Sequence, residues 1–403
     1  MIISTLKSIK VAVNTRIYHL IVYIVYKLCL LFPLKNKVVA STFKGKKYGD
    51  NPQYILESLH KSCPNIKLYW LKQNDDFVLP EWISGVSIAS YILKIYQVAT
   101  AKVIIDTHRF PLWMKKRNGQ LFIETWHGGL GIKKLEADVP KFKELEWLMK
   151  EVRHTSELAD VFISQSDHLS KIYRRAFGYN GQIFKCGYPK NDTLFCDRTS
   201  SRVLIRNYYN LDVKQKLLLY APTFRDEFYT QIDTTVYDVD VKLVQYYLRQ
   251  KFGGEWTILV RWHPLFSSML KEQSINVLPN AIDTTSYPDI QELLKACDVV
   301  MSDYSSIIFD AALLDIPCFT FATDFDEYKA DRGVYYEMDE LPFPYARNND
   351  ELMKNIENYD HAAYIERWQA FKERMGLYEP GNASEVIANK IIEFVQTGKT
   401  SWK

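Results

Sequence analysis

An α/β fold in two halves, each a parallel sheet covered by helices, is what this sequence predicts, and three observations lead to it. The chain has 403 residues, too many for one ordinary core and suited to two domains of roughly 150 to 200 residues with a cleft between them. After residue 35, short β-branched runs alternate with helical stretches, the pattern of parallel strands joined by crossover helices. The same alternation is repeated in the second half of the chain.

In the first half, strands are expected at 37–41, 67–71, 102–106, 121–125, 161–164 and 183–186. The second half offers strands at 217–221, 256–261, 299–302 and 318–321. Between them, 191–214 reads as polar and helical, which places the crossing between domains there. The expected division is a membrane-associating segment over 1–34, a Rossmann-like half over 35–195, a second Rossmann-like half over 205–380, and a C-terminal stretch over 381–403. Within that stretch, 383–397 is an amphipathic helix expected to return toward the first half. Ligands of doubly wound sheets bind beyond the carboxyl ends of the strands, so residues at strand ends carry the functional reading.

The beginning of the chain has one sign of charge. Residues 1–49 contain no Asp or Glu, yet Lys7, Lys10, Arg16, Lys27, Lys35, Lys37, Lys44, Lys46 and Lys47 are all present. Inside this segment 17–34 is almost wholly apolar and aromatic, broken by His19 and Lys27 and closed at Pro33. No small-residue cleavage site follows, which argues against a signal peptide. A spanning helix needs about 20 apolar residues, and Lys27 sits near the middle of this run. A basic amphipathic helix lying in the membrane plane suits the segment better than a spanning helix or an ordinary buried first helix. Tyr18, Tyr23, Tyr26 and Phe32 are interfacial side chains, and the lysines would be drawn to anionic lipid.

A net charge of +3 gives no reason to expect a nucleic-acid partner. The six cysteines, Cys29, Cys63, Cys186, Cys196, Cys297 and Cys318, are scattered. Without a CxxC pair or zinc-type histidine spacing they read as reduced packing residues of a cytosolic compartment. GxxxxGK[ST], a GxGxxG after a strand, GxSxG and HExxH are all absent from the sequence, which removes support for P-loop, nicotinamide, triad and zincin chemistry. Asp238-Val239-Asp240 has the letters of a DxD metal site but lies away from a strand end. Neither a cofactor nor a metal is expected.

Three strand-end motifs remain. Thr125-Trp126-His127-Gly128-Gly129-Leu130-Gly131 comes directly after the apolar run at 121–123. Its glycines would let a substrate approach the backbone closely. His127 reads as a general base or as a loop histidine capping a turn, and spacing leaves both open. In the second half, Ala221-Pro222-Thr223-Phe224-Arg225-Asp226 and Arg261-Trp262-His263-Pro264 bring Arg225, Arg261 and His263 to one sheet edge. Such cations suit a phosphate-bearing ligand, although Arg225 with Asp226 also reads as a surface ion pair and His263 as a helix-starting residue. Finally Ser302-Asp303-Tyr304-Ser305-Ser306 runs from a strand into a helix whose first N–H groups favour an anion. Serines there are equally good caps. Asp310, one turn on, is placed either for a ribose hydroxyl or for backbone bonding. Residues 325–333 read as a charged loop able to close over the cleft, with Arg332 as an extra phosphate contact.

Taken in order, these motifs, Trp-His-Gly at 126–128, Ala-Pro-Thr-aromatic-Arg-Asp at 221–226, Arg-x-His-Pro at 261–264, Ser-Asp-Tyr-Ser-Ser at 302–306 and Arg-Gly at 332–333, resemble the CDP-glycerol glycerophosphotransferase family of teichoic-acid primases and polymerases. The likeness extends to 50–52, 187–192 and 382–384, so it covers nearly the whole chain. It implies a GT-B fold, with the first domain taking a lipid-linked acceptor and the second a CDP-polyol donor, at the cytoplasmic face of the cell membrane. It also implies that His127 is the base and that His263 serves the donor phosphates; Arg225, Arg261, Ser302, Asp303, Ser305, Ser306, Asp310 and Arg332 are the candidate donor and phosphate contacts, and Trp126, Gly128, Gly129 and Lys133 the candidates on the acceptor side. Gly129-Leu130-Gly131 departs from the family's usual Thr-Pro after Trp-His-Gly, which puts acceptor-side geometry in doubt. The expected reaction moves glycerol phosphate from CDP-glycerol to an acceptor hydroxyl and releases CMP. CDP-ribitol as donor, a sugar-nucleotide GT-B transferase and a non-catalytic assembly subunit are the alternatives. The expected partners are the CDP-polyol, the polymer acceptor and an anionic membrane surface, and the reading allows a homo-oligomer.

Overall fold

The computed structural model describes residues 20–73, 75–87, 90–225 and 233–402. In the first half β1 (Lys35–Ala40), β2 (Lys67–Lys72), β3 (Ile83–Ser87), β4 (Ala101–Asp106), β5 (Leu121–Glu124), β6 (Val161–Ser164) and β7 (Gln182–Lys185) form one sheet. Its order is β3-β2-β1-β4-β5-β6-β7, and every pairing is parallel. The second half builds β8 (Lys216–Ala221), β9 (Trp256–Val260), β10 (Ile282–Asp283), β11 (Val299–Ser302), β12 (Cys318–Phe321) and β13 (Tyr345–Ala346). These follow the order β10-β9-β8-β11-β12-β13, again all parallel.

Central strands of such sheets are covered on both faces and so read as unbroken apolar runs. Val38, Val39 and Ala40 in β1 and Val103, Ile104 and Ile105 in β4 are buried in this way. Strand order reverses between β1 and β4 in the first sheet and between β8 and β11 in the second, and the carboxyl ends of strands at such reversals open onto the ligand crevice. Sequence reading does not anticipate β3, β10 and β13. They lie in or next to the sheet margins, β3 contains Gly85, and β10 and β13 have only two residues each. A strand stabilised mainly by pairing with its neighbour carries little hydrophobic signature of its own.

Residues 20–29 form a helix, α1. Its buried face, Val22, Tyr26 and Cys29, packs on Ile95 and Ala99 of α3 (Tyr91–Thr100). Leu20, Ile21, Ile24 and Leu28 face outward, with Leu31 just beyond the helix 81% exposed. Arg117 closes the helix end by donating to the carbonyl oxygens of Leu30 at 3.2 Å and Phe32 at 2.9 Å. Lys7, Lys10, Arg16 and Tyr18, part of the expected membrane segment, lie outside the described residues. Among the described residues no helix is long and apolar enough to cross a membrane.

The two halves are joined by more than the crossing near residue 195. The helix Ala383–Thr397 buries Ile387, Ala388 and Ile391 in the core of the first half and packs on α2 (Asp50–Ser62). Asp192 caps its start by accepting from the backbone N–H groups of Ala383 at 2.9 Å and Ser384 at 2.7 Å. In the other direction, the glycine-rich segment after β5 crosses to the second half, where Leu130 and Ile132 are buried in that core. Backbone bonds hold it there, from Tyr335 N–H to the Ile132 carbonyl at 2.7 Å and from Lys134 N–H to the Gly333 carbonyl at 3.0 Å.

Candidate active site

Between the halves lies a cleft of about 380 Å³. The first half lines it with Phe43, Lys47, Asp50, His127, Lys133 and Lys190. The second contributes Arg225, Arg261, His263, Ser305, Ser306, Asp310 and Arg332, together with Asp324 and Tyr328. Basic side chains therefore face one another across it.

His127 owes its position to a turn at the end of β5. Trp126 adopts a φ of +51°, a conformation that costs a non-glycine residue energy and persists only where neighbours enforce it. The enforcing bonds run from Trp126 N–H to the Glu124 carboxylate at 2.9 Å and from the Asn51 amide to the Trp126 carbonyl at 3.3 Å. The His127 Nδ1 lies 2.8 Å from the carbonyl oxygen of Thr107. A carbonyl can only accept, so Nδ1 carries the hydrogen and Nε2 is left as the basic nitrogen. Rings of Phe43 at 5.0 Å and Trp126 at 4.4 Å flank the imidazole. Burial pushes its pKa down to about 4, and Lys133, Lys190 and Lys47 add to that fall, while the bond to Thr107 opposes it.

The other residues of this motif sit elsewhere than expected. Trp126 does not line the cleft but packs into the first core against Phe177 at 4.8 Å. Gly129 does not make room for a substrate, because a Cβ there would stand 2.6 Å from the buried Gln165 side chain. The Gly128 carbonyl accepts from the Tyr188 hydroxyl at 3.0 Å. These glycines let the segment pass over Gln165 and Tyr188 on its way to the second half. Lys133, at the far end of that passage, does reach the cleft.

In the second half, Arg225 lines the cleft but its charge is already balanced. It makes a two-point contact with Asp324, at 2.6 and 3.0 Å, and a third with Asp303 at 2.9 Å. Burial disfavours the cation, yet Asp303 and Asp324 outweigh it and hold the guanidinium charged. Asp303, expected as a donor-binding residue, does not line the cleft. It is buried and spends its oxygens on Arg225 and on the Thr223 N–H at 2.8 Å. Ser302 is likewise buried, its hydroxyl donating to the Ala221 carbonyl at 2.7 Å. Both tie the end of β11 to the loop after β8, because short polar side chains at adjacent strand ends satisfy each other's backbone groups.

Arg261 reaches the cleft while donating to the carbonyls of Thr284 at 2.8 Å and Tyr287 at 2.9 Å. His263 is exposed, caps the helix Pro264–Glu272 by accepting from the Leu265 N–H at 3.4 Å, and lies over Phe224 at 5.4 Å. The Ser305 hydroxyl accepts from the Ile307 N–H at 3.4 Å at the start of the short helix Ile307–Ala312. Asp310 lines the cleft, but its carboxylate is taken up by side chains of the first half. It is buried and ion-paired with Lys190 at 2.7 Å, with the Asn191 amide at 3.3 Å. The expected charged loop at 325–333 is instead a helix, Phe325–Asp331, ending at Arg332, whose guanidinium sits 4.4 Å over the Phe142 ring and lines the cleft. Asp226 lies outside the described residues.

Lys47, Asp50, Lys190 and Asp324 are cleft residues that motif reading did not single out for chemistry. Lys47 is deeply placed, and burial drives its ammonium pKa down. Burial raises the Asp50 carboxyl, against the pull of Lys190 and Lys47. The run 50–52 and the run 187–192 were the only available signals for two of them. Among the described residues no group of three or more His, Cys, Asp or Glu is placed to hold a metal ion.

Residues 24–393 match the model of the CDP-Glycerol:Poly(glycerophosphate) glycerophosphotransferase family. The chain belongs to this family. Its glycerophosphotransferase relatives include the teichoic acid poly(glycerol phosphate) polymerase of Staphylococcus epidermidis, 32% identical over 88% of this chain and 50% of that protein. The chain thus spans about half the length of that relative. The teichoic acid glycerol-phosphate transferase of Staphylococcus aureus is 28% identical over 96% of this chain and 100% of its own length. Among solved structures, the wall teichoic acid polymerase TagF, in a variant soaked with CDPG, superposes with a TM-score of 0.79 at 29% identity, covering 98% of this chain and 97% of that one. The glycerophosphotransferase family and the two parallel sheets therefore agree.

Proposed function

We propose that this protein transfers glycerol phosphate from CDP-glycerol to a hydroxyl of a membrane-linked acceptor in teichoic-acid synthesis, releasing CMP. The observation that carries the reading is His127, oriented by Thr107 with Nε2 as its basic nitrogen, lining a cleft rich in cations. The acceptor oxygen attacks the phosphorus that bears glycerol, the anhydride P–O bond breaks, and CMP departs with the bonding electrons. The acceptor proton passes to His127 Nε2. Loose phosphoryl-transfer transition states are stabilised by positioning and charge, and here Arg261, His263, Ser305, Ser306, Arg332 and the cleft lysines serve that purpose. Arg225 acts by holding the loop 222–225 against Asp303 and Asp324.

A pKa lowered to about 4 makes the imidazole neutral at physiological pH, which is the form a base requires. Anionic phosphates beside it offset the repulsion from Lys133, Lys190 and Lys47 and raise its basicity at the moment of transfer. The outward apolar face of α1 docks in the cytoplasmic leaflet, keeping the cleft near a lipid-linked chain. CMP release from CDP-glycerol and CDP-ribitol in parallel, with a lipid-linked glycerol-phosphate acceptor, tests the reading. Release with CDP-glycerol that vanishes in His127→Ala supports it, and release only with CDP-ribitol reassigns the donor. Release that is undiminished in His127→Ala removes the base assignment.

A further inference from the structure

A second pocket, of about 270 Å³, opens at the amino edge of the first sheet, where Lys35 begins β1 and Lys67 begins β2. The catalytic cleft lies at the carboxyl edge of that sheet, beyond β5. The pocket is lined by Lys35, Lys37 and Lys67 with the amides of Asn36 and Asn65 and the rings of Tyr69 and Tyr96. Among the described residues no carboxylate lines it.

Lys37 is the unusual member, with 2% of its side chain exposed. Its ammonium is held by the Gln97 amide oxygen and by the Thr100 hydroxyl at 2.7 Å, and it sits 5.0 Å from the centre of the Tyr96 ring. Neutral oxygens and ring faces orient a buried cation without cancelling its charge. A buried charge is costly unless paired. Burial, with Lys35 adding to it, lowers the Lys37 pKa to about 8. Lys35 stands beside it, donating to the Tyr96 hydroxyl at 2.7 Å. Three lysines around one small space, with no carboxylate among the described lining residues, form a site suited to an anion.

We infer that this pocket binds the phosphate group of an anionic phospholipid at the membrane surface. Phosphate is an anion that lysine ammonium groups attract as point charges and that amide N–H groups can bond as donors. The lipid is indicated by the neighbourhood. Tyr96, one wall of the pocket, meets Phe32 edge-on at 5.4 Å, and Phe32 continues the outward apolar face of Leu28 and Leu31. Acyl chains against that face would carry a headgroup to the pocket mouth, with Lys35 and Lys67 reaching to it as snorkelling lysines do. This inference rests on the membrane docking of α1 proposed above.

The test is co-sedimentation of the full chain with vesicles of phosphatidylcholine alone and of phosphatidylcholine mixed with phosphatidylglycerol. Lys35→Gln/Lys67→Gln is compared with Lys214→Gln/Lys271→Gln, an equal loss of exposed charge on the second half, and with Leu28→Ser/Leu31→Ser. The expected result is a loss of about thirtyfold in affinity for the anionic vesicles in the pocket variant, at about tenfold per 1.4 kcal/mol and roughly 1 kcal/mol for each lysine near the surface. The control lysine pair should change it less than threefold. Equal losses in the two lysine pairs overturn the pocket. If Leu28→Ser/Leu31→Ser weakens binding and the pocket variant does not, the docking reading stands and the pocket inference falls. Wild-type protein that ignores both vesicles overturns the two together. Calorimetric titration with inorganic phosphate completes the test: binding abolished in the pocket variant without any change on vesicles would assign the site to a soluble phosphate and overturn the lipid source.

Discussion

His127 Nδ1 lies 2.8 Å from the carbonyl oxygen of Thr107, and this contact between strand ends β4 and β5 leaves Nε2 as the basic nitrogen. General-base assistance is worth about 10²- to 10⁴-fold in rate. His127→Ala should lower kcat by that amount while leaving the dissociation constant for CDP-glycerol within about threefold, since the side chain acts on the acceptor proton. Single-turnover CMP release and calorimetry of donor binding separate the two quantities.

The pH profile carries a second expectation. Only the neutral imidazole accepts the proton, so activity falls as pH drops through the His127 pKa. In kcat/KM, which reports the free enzyme, the acid limb should lie near pH 4, where burial places the group. In kcat it should move to higher pH, because bound phosphates favour the imidazolium. Acid limbs at one and the same pH in both profiles would contradict the charge relation between donor and base.

Lys190 and Asp310 join the two halves as a buried ion pair at 2.7 Å. Lys190 is shifted down by burial but up by Asp310 and Asp50, with a net rise. Removing one partner strands the other charge in the interior, at a cost of about 3–5 kcal/mol. Lys190→Met should therefore destabilise strongly in urea unfolding, and Lys190→Met/Asp310→Leu should recover much of the loss.

Gly129 lacks a side chain because Gln165 occupies the space. Gly129→Ala should cost about 1–3 kcal/mol through overpacking. Gly129→Ala/Gln165→Ala should be little less stable than Gln165→Ala alone. Thermal unfolding of the three proteins gives the coupling directly.

Arg225 forms a planar two-point contact with Asp324 that a lysine cannot reproduce. Arg225→Lys should reduce kcat/KM for the donor by about tenfold or more, the scale of one charge-assisted hydrogen bond. Asp324→Asn should show a loss of the same order, since it releases the same guanidinium.

The strands at 161–164, 299–302 and 318–321 were legible to the residue, because strands covered on both faces must be apolar throughout. The β3, β10 and β13 strands were not, since pairing at a margin demands no such run. In the site, His127, Arg225, Arg261, His263, Ser305 and Ser306 could be placed near a cleft from strand-end position, Lys133 from the glycine-rich run that follows β5, and Arg332 from the charged run at 325–333. Ser302, Asp303, Trp126, Gly128 and Gly129 share those strand ends but serve backbone bonding and packing.

Residue order by itself determined the parallel strands, their helical crossovers and the chemistry available at their carboxyl ends, because apolar periodicity and strand-end polarity are local properties. Only the tertiary structure decided which of those polar residues line the cleft and which are bonded within the protein. Asp303 was consumed by Thr223 and Arg225, and Asp310 by Lys190, 120 positions away along the chain. Lys47 and Lys190 were brought into the cleft by the docking of the two halves. A buried polar group bonds whatever partner the folded chain brings within reach, and that partner is set by long-range packing rather than by neighbours in sequence.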